Sequence, residues 1–293
     1  MANEIYIPIS NPIKWMQVDP AELPQYLTKH FDDYWQKEQL RDWETQVYYK
    51  QKWQTSDAVY EQFESNFAAI QLDVLDCSGT SLLTLPATQV RENIYLSGYY
   101  VYELTLSWAA FDPGTYYLKL TLGDGTTIMI SEPQEVAEQW PNTILFEYSN
   151  STFHGDVVYE TGIQFGLRCE AFINRLDPGN ERTAYRDQKQ NPTTLKSVPY
   201  RVWNLEIGQF MGIPDWVIDK LNWVWSCDNV LCDGKSFAVN EGAKFEEQEV
   251  DKVYPFRMLK LEIQEGVNRY SKIVNPELNP NKKLIAAGLI DST

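Results

Sequence analysis

Tyr99-Tyr-Val-Tyr-Glu-Leu-Thr-Leu-Ser-Trp108 and Thr115-Tyr-Tyr-Leu-Lys-Leu-Thr-Leu122 lie in the stretch, residues 95–173, that decides the fold of this chain. Both runs are rich in β-branched and aromatic residues, which favour strands. Turn signals such as Asp112-Pro-Gly114 and Gly123-Asp-Gly125 separate the runs, and no helical period intervenes. Three more runs of this kind follow, at residues 126–130, 143–148 and 163–173. This succession predicts an antiparallel β-sandwich.

The composition narrows the class of protein. The chain has 293 residues, and its 43% apolar content can fill the core of one large domain or two ordinary ones. Its 25 basic and 41 acidic residues give a net charge of −16, so the surface repels phosphate backbones and anionic lipid. We therefore expect no specific nucleic-acid binding.

The sequence also lacks the hydrophobic segments that membrane insertion or export requires. No window approaches the roughly 18 uncharged apolar residues of a spanning helix. The first residues have neither the basic nor the apolar region of an export signal. We expect a chain that folds in the cytoplasm and has no membrane partner.

No residue pattern indicates a reaction or a metal site. Cys227 and Cys232 are spaced more widely than the ligands of a zinc knuckle, and no second pair completes them. The two histidines, His30 and His154, lie outside any metal-binding or triad motif. We expect structural thiols, no metal, no cofactor, no catalytic residues and no enzymatic activity.

The pattern along the chain predicts a mainly β fold, an antiparallel β-sandwich with an N-terminal helix and a smaller α+β C-terminal unit. The last unit contains a helix near residues 212–227, with Pro214 at its first position and one apolar stripe for core packing. The predicted regions are an extended N-terminal arm at 1–18, a helix at 19–42, the sandwich at 43–174, a connecting loop at 175–198, the α+β domain at 199–265 and a C-terminal arm at 266–293.

The N-terminal arm has a composition that suits contact with another molecule. Prolines interrupt it, which prevents a helix and disfavours a central strand. Its apolar side chains are candidate arm contacts, because an extended segment adds apolar contact without a large rigid interface. These candidates are Ile5, Ile7, Ile9 and Ile13.

Segments spread over most of the chain resemble virion structural proteins of tailed bacteriophages, particularly neck and tail proteins of crAss-like and related phages. The segments are Tyr49-Lys-Gln-Lys-Trp-Gln-Thr-Ser-Asp57, Phe111-Asp-Pro-Gly-Thr-Tyr-Tyr-Leu118, Ile130-Ser-Glu-Pro-Gln-Glu-Val136, Asn142-Thr-Ile-Leu-Phe-Glu-Tyr148, Gly166-Leu-Arg-Cys-Glu-Ala171 and Gly208-Gln-Phe-Met-Gly-Ile-Pro-Asp-Trp216. The match is one of overall style and order. It implies a distal-tail-like subunit of a neck, tail hub or baseplate ring, located in the virion. Its implied partners are copies of itself and other virion proteins, with genome DNA passing through the ring, and it implies no catalytic residues.

A carbohydrate-binding module for host-surface recognition is the alternative. β-Sandwiches present exposed aromatic rings to sugars. Trp108, Trp140 and Tyr148 lie near predicted strand ends, and they are the candidates for such a platform or for a protein interface.

Overall fold

The structure is a computed structural model that describes residues 4–24, 27, 49–93, 97–151, 157–186, 188–210, 212–240, 242–249 and 256–266. These residues form a mainly β protein with antiparallel sheets, as the sequence predicts. The strands are β1 (Ile5–Tyr6), β2 (Trp15–Val18), β3 (Gln51–Gln54), β4 (Ala58–Ser65), β5 (Ile70–Leu75), β6 (Ser81–Pro86), β7 (Thr88–Glu92), β8 (Tyr100–Ser107), β9 (Gly114–Leu122), β10 (Ile128–Ser131), β11 (Gln134–Ala137), β12 (Thr143–Ser149), β13 (Phe165–Arg186), β14 (Pro192–Ile207), β15 (Asn229–Cys232), β16 (Lys235–Val239), β17 (Glu246–Glu249) and β18 (Arg257–Glu265). The α-helix α1 spans Asp215–Val224, and short 3₁₀ helices span Trp108–Ala110 and Tyr159–Thr161.

Strands β1 to β11 form two sheets that share one apolar core. The first sheet has the order β1-β4-β8-β7. In the second, β9 pairs with β5 on one edge and with β10 and β11 on the other, and β6, β2 and β3 complete the sheet. Alternate residues of each strand face inward, as in Leu104 and Leu106 of β8 against Leu118 and Leu120 of β9. This unit is the sandwich.

Strands β12 to β16 and β18 form a second unit with a different architecture. The pairings β12–β13, β13–β14, β14–β18, β18–β16, β16–β15 and β15–β12 close a ring of six antiparallel strands, and β17 pairs with β18 on the same edge as β16. Closure pairs the strands of the ring with a neighbour on each side. We call this unit the barrel.

Helix α1 packs on the apolar core of the barrel. Val217, Leu221 and Val224 are fully buried there, which confirms the stripe that the sequence predicts. Pro214 precedes the helix as its N-cap rather than occupying the first helical position. Gly212 precedes it at φ +75°, where a Cβ would lie 2.6 Å from the Cβ of Phe256, so this approach to the helix requires glycine.

The structure moves two of the predicted boundaries. Residues 143–149 and 165–174 pair within the barrel, so the sandwich ends near residue 137 rather than 174. The predicted loop at 175–198 is mostly strand, as the outer parts of β13 and β14. The sequence misleads here because a β-type run has the same pattern whichever sheet it joins.

The predicted N-terminal elements also differ from the structure. The predicted helix at 19–42 is not confirmed over its length: residues 20–22 form a turn, residues 23, 24 and 27 are helical, and residues 25, 26 and 28–42 lie outside the described residues. In the described part of the predicted arm at 1–18, residues 5–6 and 15–18 are extended and residues 9–13 form turns and bends. This segment is not free, because β1 pairs with β4 and β2 pairs with β10. Residues 1–3 lie outside the described residues. The predicted C-terminal arm lies outside the described residues apart from Gly266.

A buried ion pair ties the sandwich to the barrel. Arg168 of β13 donates from Nε and Nη2 to the two carboxylate oxygens of Asp57, at 2.7 and 2.8 Å. Both side chains are less than a tenth exposed. The backbone carbonyl of Arg168 also accepts a hydrogen bond from Gln51 of β3, at 2.7 Å. This geometry satisfies both charges without water.

We predict that Asp57→Ala lowers the free energy of unfolding by about 3–5 kcal/mol, because it leaves the Arg168 guanidinium buried and unpaired. The matched control is Glu160→Ala, which removes the exposed Arg91–Glu160 pair and costs less than about 1 kcal/mol. Urea unfolding of the three proteins measures the difference. Equal losses in the two variants contradict the role of the buried pair.

Candidate functional site

The two longest strands form a hairpin that extends well past the barrel. At its base, residues 165–170 of β13 pair with β12, and residues 202–207 of β14 pair with β18. Beyond that, residues 178–186 pair with residues 192–201 and with no other strand of the described residues. Nine residues at about 3.3 Å each make this outer hairpin about 30 Å long. We call residues 178–201 the ribbon.

The ribbon has two strand edges that no described strand covers. A strand edge carries a row of backbone donors and acceptors and is a template for pairing with another chain. Pro178, Pro192 and Pro199 each remove one donor, which is tolerated because both strands are edge strands. A two-stranded ribbon is marginally stable alone, so a contact elsewhere would stabilise it.

The tip of the ribbon is exposed to solvent. The described side chains at 183–186 and 188–192 are all exposed, and Tyr185 is 58% exposed.

The charge of the hairpin differs from that of the rest of the chain. Residues 175–201 contain six Lys and Arg against three Asp and Glu, a net charge of +3. The rest of the chain then has 19 basic and 38 acidic residues, a net charge of −19. The hairpin is thus a basic segment on an acidic protein.

The predicted aromatic platform is wrong for two of its three residues. Trp108 is fully buried in the sandwich core, with its ring 5.3 Å from that of Phe111. Tyr148 is fully buried in the barrel core, so it lies in a different unit from Trp108. Trp140 is half-buried, and its indole donates to the Trp53 carbonyl at 3.0 Å. The sequence places these residues near strand ends, but it does not show on which face of the sheet each side chain lies. Burial of a large aromatic ring is favourable, so the inward face is preferred.

The predicted arm contacts lie mainly within the chain. Ile13 is buried in the sandwich core, and Ile5 and Ile7 pack against the same core. Ile9 is 41% exposed. Three of the four side chains therefore contact this protein's own sandwich, and Ile9 alone of the four keeps a large exposed surface.

Residues Ser10–Trp15, which we call the strap, run between the sandwich and the barrel. From the barrel, the Lys220 ammonium of α1 donates to the carbonyls of Asn11 and Ile13, the latter at 3.1 Å. The hydroxyl of Tyr148 donates to the carbonyl of Ser10. The strap carbonyls thus find their partners in the barrel.

The sandwich holds the other side of the strap. Asn11 exchanges two hydrogen bonds with the backbone of Gln62, at 2.8 and 3.2 Å. Both oxygens of Glu61 accept, one from the Ile13 amide and one from the Trp15 indole, each at 3.0 Å. Asn11 and Glu61 are almost completely buried. The local sequence does not predict this site, because Glu61 lies in a run with the pattern of an ordinary strand.

The cysteines lie apart from any reactive arrangement. Cys169 and Cys232 are buried, Cys227 is half-buried, Cys77 is exposed, and none forms a disulfide. Burial raises the pKa of Cys169 to about 12, so this side chain is a thiol and packs as a small core residue. In the described ranges, no three His, Cys, Asp or Glu side chains are close enough together to hold a metal ion. No described helix is long and apolar enough to cross a bilayer.

We predict that Trp108→Ala lowers the free energy of unfolding by about 3–5 kcal/mol, because it leaves a cavity in the sandwich core. Tyr185→Ala, at the exposed tip of the ribbon, serves as the control and changes the same quantity by less than about 0.5 kcal/mol. Chemical denaturation measures both. A Trp108 variant as stable as the Tyr185 variant would show that the ring is not part of the core.

We predict that the barrel folds without the ribbon. Replacing residues 179–200 by Asn-Gly preserves every pairing of β13 and β14 with β12 and β18, and it supplies a favourable two-residue turn. The free energy of unfolding should therefore change by less than about 1 kcal/mol. Thermal unfolding followed by near-ultraviolet circular dichroism measures it. Loss of a single cooperative transition would show that the ribbon is part of the folding unit.

No protein-family model, no curated protein and no solved structure matches this chain. Its function is therefore inferred from the geometry of the site and from the resemblance of its segments.

Proposed function

We propose that this protein is a structural subunit of a tailed-phage virion and forms part of an oligomeric ring in the neck, tail hub or baseplate. The ribbon is the observation that supports this function best. Within the described residues, its two strand edges are unpaired along a length of about 30 Å. Such an element costs conformational entropy to order, and a contact with another molecule offsets that cost.

A ring requires each copy to contact the next one through two different surfaces. In the proposed ring, the ribbon of one copy contacts a different surface on the next copy, which makes the contact heterologous. Heterologous contacts that close on themselves generate rings. The ribbon segment carries +3 and the rest of the chain −19, so attraction between the ribbon of one copy and the body of the next favours the encounter.

The resemblance of six segments to phage neck and tail proteins supports a virion as the setting. Other virion neck and tail proteins are then the further partners, and assembly takes place in the host cytoplasm. The negative charge of the body suits a ring through which genome DNA passes, because like charge keeps the duplex from adhering to the wall.

A carbohydrate-binding module for host-surface recognition is the second candidate, and one cleft favours it. The cleft lies between the sandwich and the barrel and has a volume of about 490 Å³. Tyr60, which is 37% exposed, and the carboxylates Glu103 and Glu147 line it. A ring beside polar groups is an arrangement that sugar sites use. Glu103 accepts hydrogen bonds from Gln62 and Thr161, so part of its capacity is used within the protein.

We predict that the full chain forms a closed oligomer in solution and that the variant with residues 179–200 replaced by Asn-Gly is a monomer. Light scattering coupled to size-exclusion chromatography measures both masses. A control variant, in which Asn-Gly replaces only residues 187–191, keeps the paired strands and should still assemble. Raising the salt concentration should shift the full chain towards monomer, because salt screens exposed charges.

A full chain that stays monomeric at every concentration contradicts self-assembly through the ribbon. A glycan array then tests the second candidate, with Tyr60→Ala as the variant that should lose binding at the cleft. Truncation of residues 1–18 is a poor test of assembly, because the strap is part of the folded core.

A further inference from the structure

Two carboxylates and one ammonium lie buried around the strap. Glu61 comes from β4, Glu132 from the turn between β10 and β11, and Lys220 from α1. Glu61 and Glu132 are each 1% exposed, and Lys220 is 7% exposed. An unpaired charge in such a place is costly, and a buried group reduces that cost by changing its protonation state. Two acids face the Lys220 ammonium, and the Lys14 ammonium of the strap acts on Glu132 as well.

The hydrogen bonds identify the acid that is able to take up a proton. Both oxygens of Glu61 accept N–H groups of the strap, so neither can carry a proton without losing one of these bonds. Glu132 accepts the Lys14 amide through Oε2 at 2.9 Å, while its Oε1 is buried and has no hydrogen-bond partner. A proton on Oε1 of Glu132 therefore removes a buried negative charge and breaks no observed bond.

We propose that docking of the strap is coupled to the uptake of one proton by Glu132, which makes the joint between sandwich and barrel sensitive to pH. Glu61 then stays ionised opposite Lys220, and the Lys14 amide still has the carbonyl oxygen of Glu132 as its acceptor. When the strap opens, Glu132 meets water and releases the proton. The coupling does not depend on ring assembly.

The neighbouring groups act on both acids. Burial raises the pKa of Glu132 to about 7 and lowers that of Lys220 to about 8. Burial also raises the pKa of Glu61, to about 8, so the proton is assigned to Glu132 by the hydrogen bonds that occupy both Glu61 oxygens and not by the pKa shifts. Lys14, on the strap, is half-exposed with its ammonium 5.7 Å from the Trp216 ring centroid, and it favours the ionised form of Glu132. Burial also raises the pKa of Tyr148, which keeps its hydroxyl as a donor to the strap.

The difference in the pKa of Glu132 between the docked and the open strap decides whether a rise in pH stabilises or destabilises docking. The pKa of Glu132 is higher in the docked state, about 7, than its ordinary value of 4.5. The docked state therefore holds one more proton between these values, and its stability falls as pH rises through this window. For one proton, the equilibrium constant for strap opening rises about tenfold per pH unit. Above the docked pKa, both states have lost this proton and the dependence on Glu132 ends.

Hydrogen exchange of the Ile13 and Lys14 amides tests the proposal, because both donate to the buried acids. In the unmodified protein, their protection factors should fall about tenfold per pH unit between pH 5 and 7. Glu132→Gln is a neutral isostere, so it should keep the protection and remove this slope. Glu61→Gln should reduce protection at every pH, because its NH₂ group faces an N–H donor. Glu160→Gln, an exposed control, should leave the slope unchanged.

A Glu132→Gln variant that retains the slope of the unmodified protein overturns the proposal. If this variant does not fold, infrared spectroscopy of the unmodified protein decides. A buried protonated carboxyl gives a C=O band that should be present at pH 6 and absent at pH 9. Absence of the band at pH 6 overturns the proposal equally.

Discussion

The structure depends on how the seam between sandwich and barrel satisfies its buried polar groups. An extended strap cannot satisfy its own backbone, and a buried donor or acceptor without a partner costs about 1–3 kcal/mol. Here side chains supply the partners: Lys220 and Tyr148 from the barrel bind strap carbonyls, and Glu61 binds a strap amide. The strap is thus the element through which the two cores recognise each other.

The need to bind the backbone groups of the strap explains why charged side chains are buried between two large apolar cores. A side chain with several donors or acceptors can bind two groups at once. Lys220 binds two backbone carbonyls, and Glu61 binds the Ile13 amide and the Trp15 indole. Asp57 and Arg168 apply the same principle at a second point of the seam, where each charge is satisfied by the other. Such contacts stabilise little beyond an apolar alternative, but they fix one relative placement of the two units.

Strand edges are paired in the barrel and unpaired in the described part of the ribbon. The six barrel strands pair around a closed ring, while the outer parts of β13 and β14 leave the ring and pair only with each other within the described part of the chain. The same two strands therefore belong to a rigid core at one end and offer unpaired edges at the other. In the proposed ring, this arrangement gives each subunit a contact element that is anchored in the barrel.

The sequence by itself determined the local elements. Alternating β-type runs predicted a mainly β chain with antiparallel sheets, and the glycine, proline and apolar stripe near residues 212–227 predicted α1. Only the tertiary structure decided which strands share a sheet, because the run 143–148 has the same pattern in a sandwich or a barrel. It also decided that Trp108 and Tyr148 are buried and that Glu61 and Glu132 meet Lys220. These placements depend on contacts between residues far apart in the chain, and local periodicity carries no record of them.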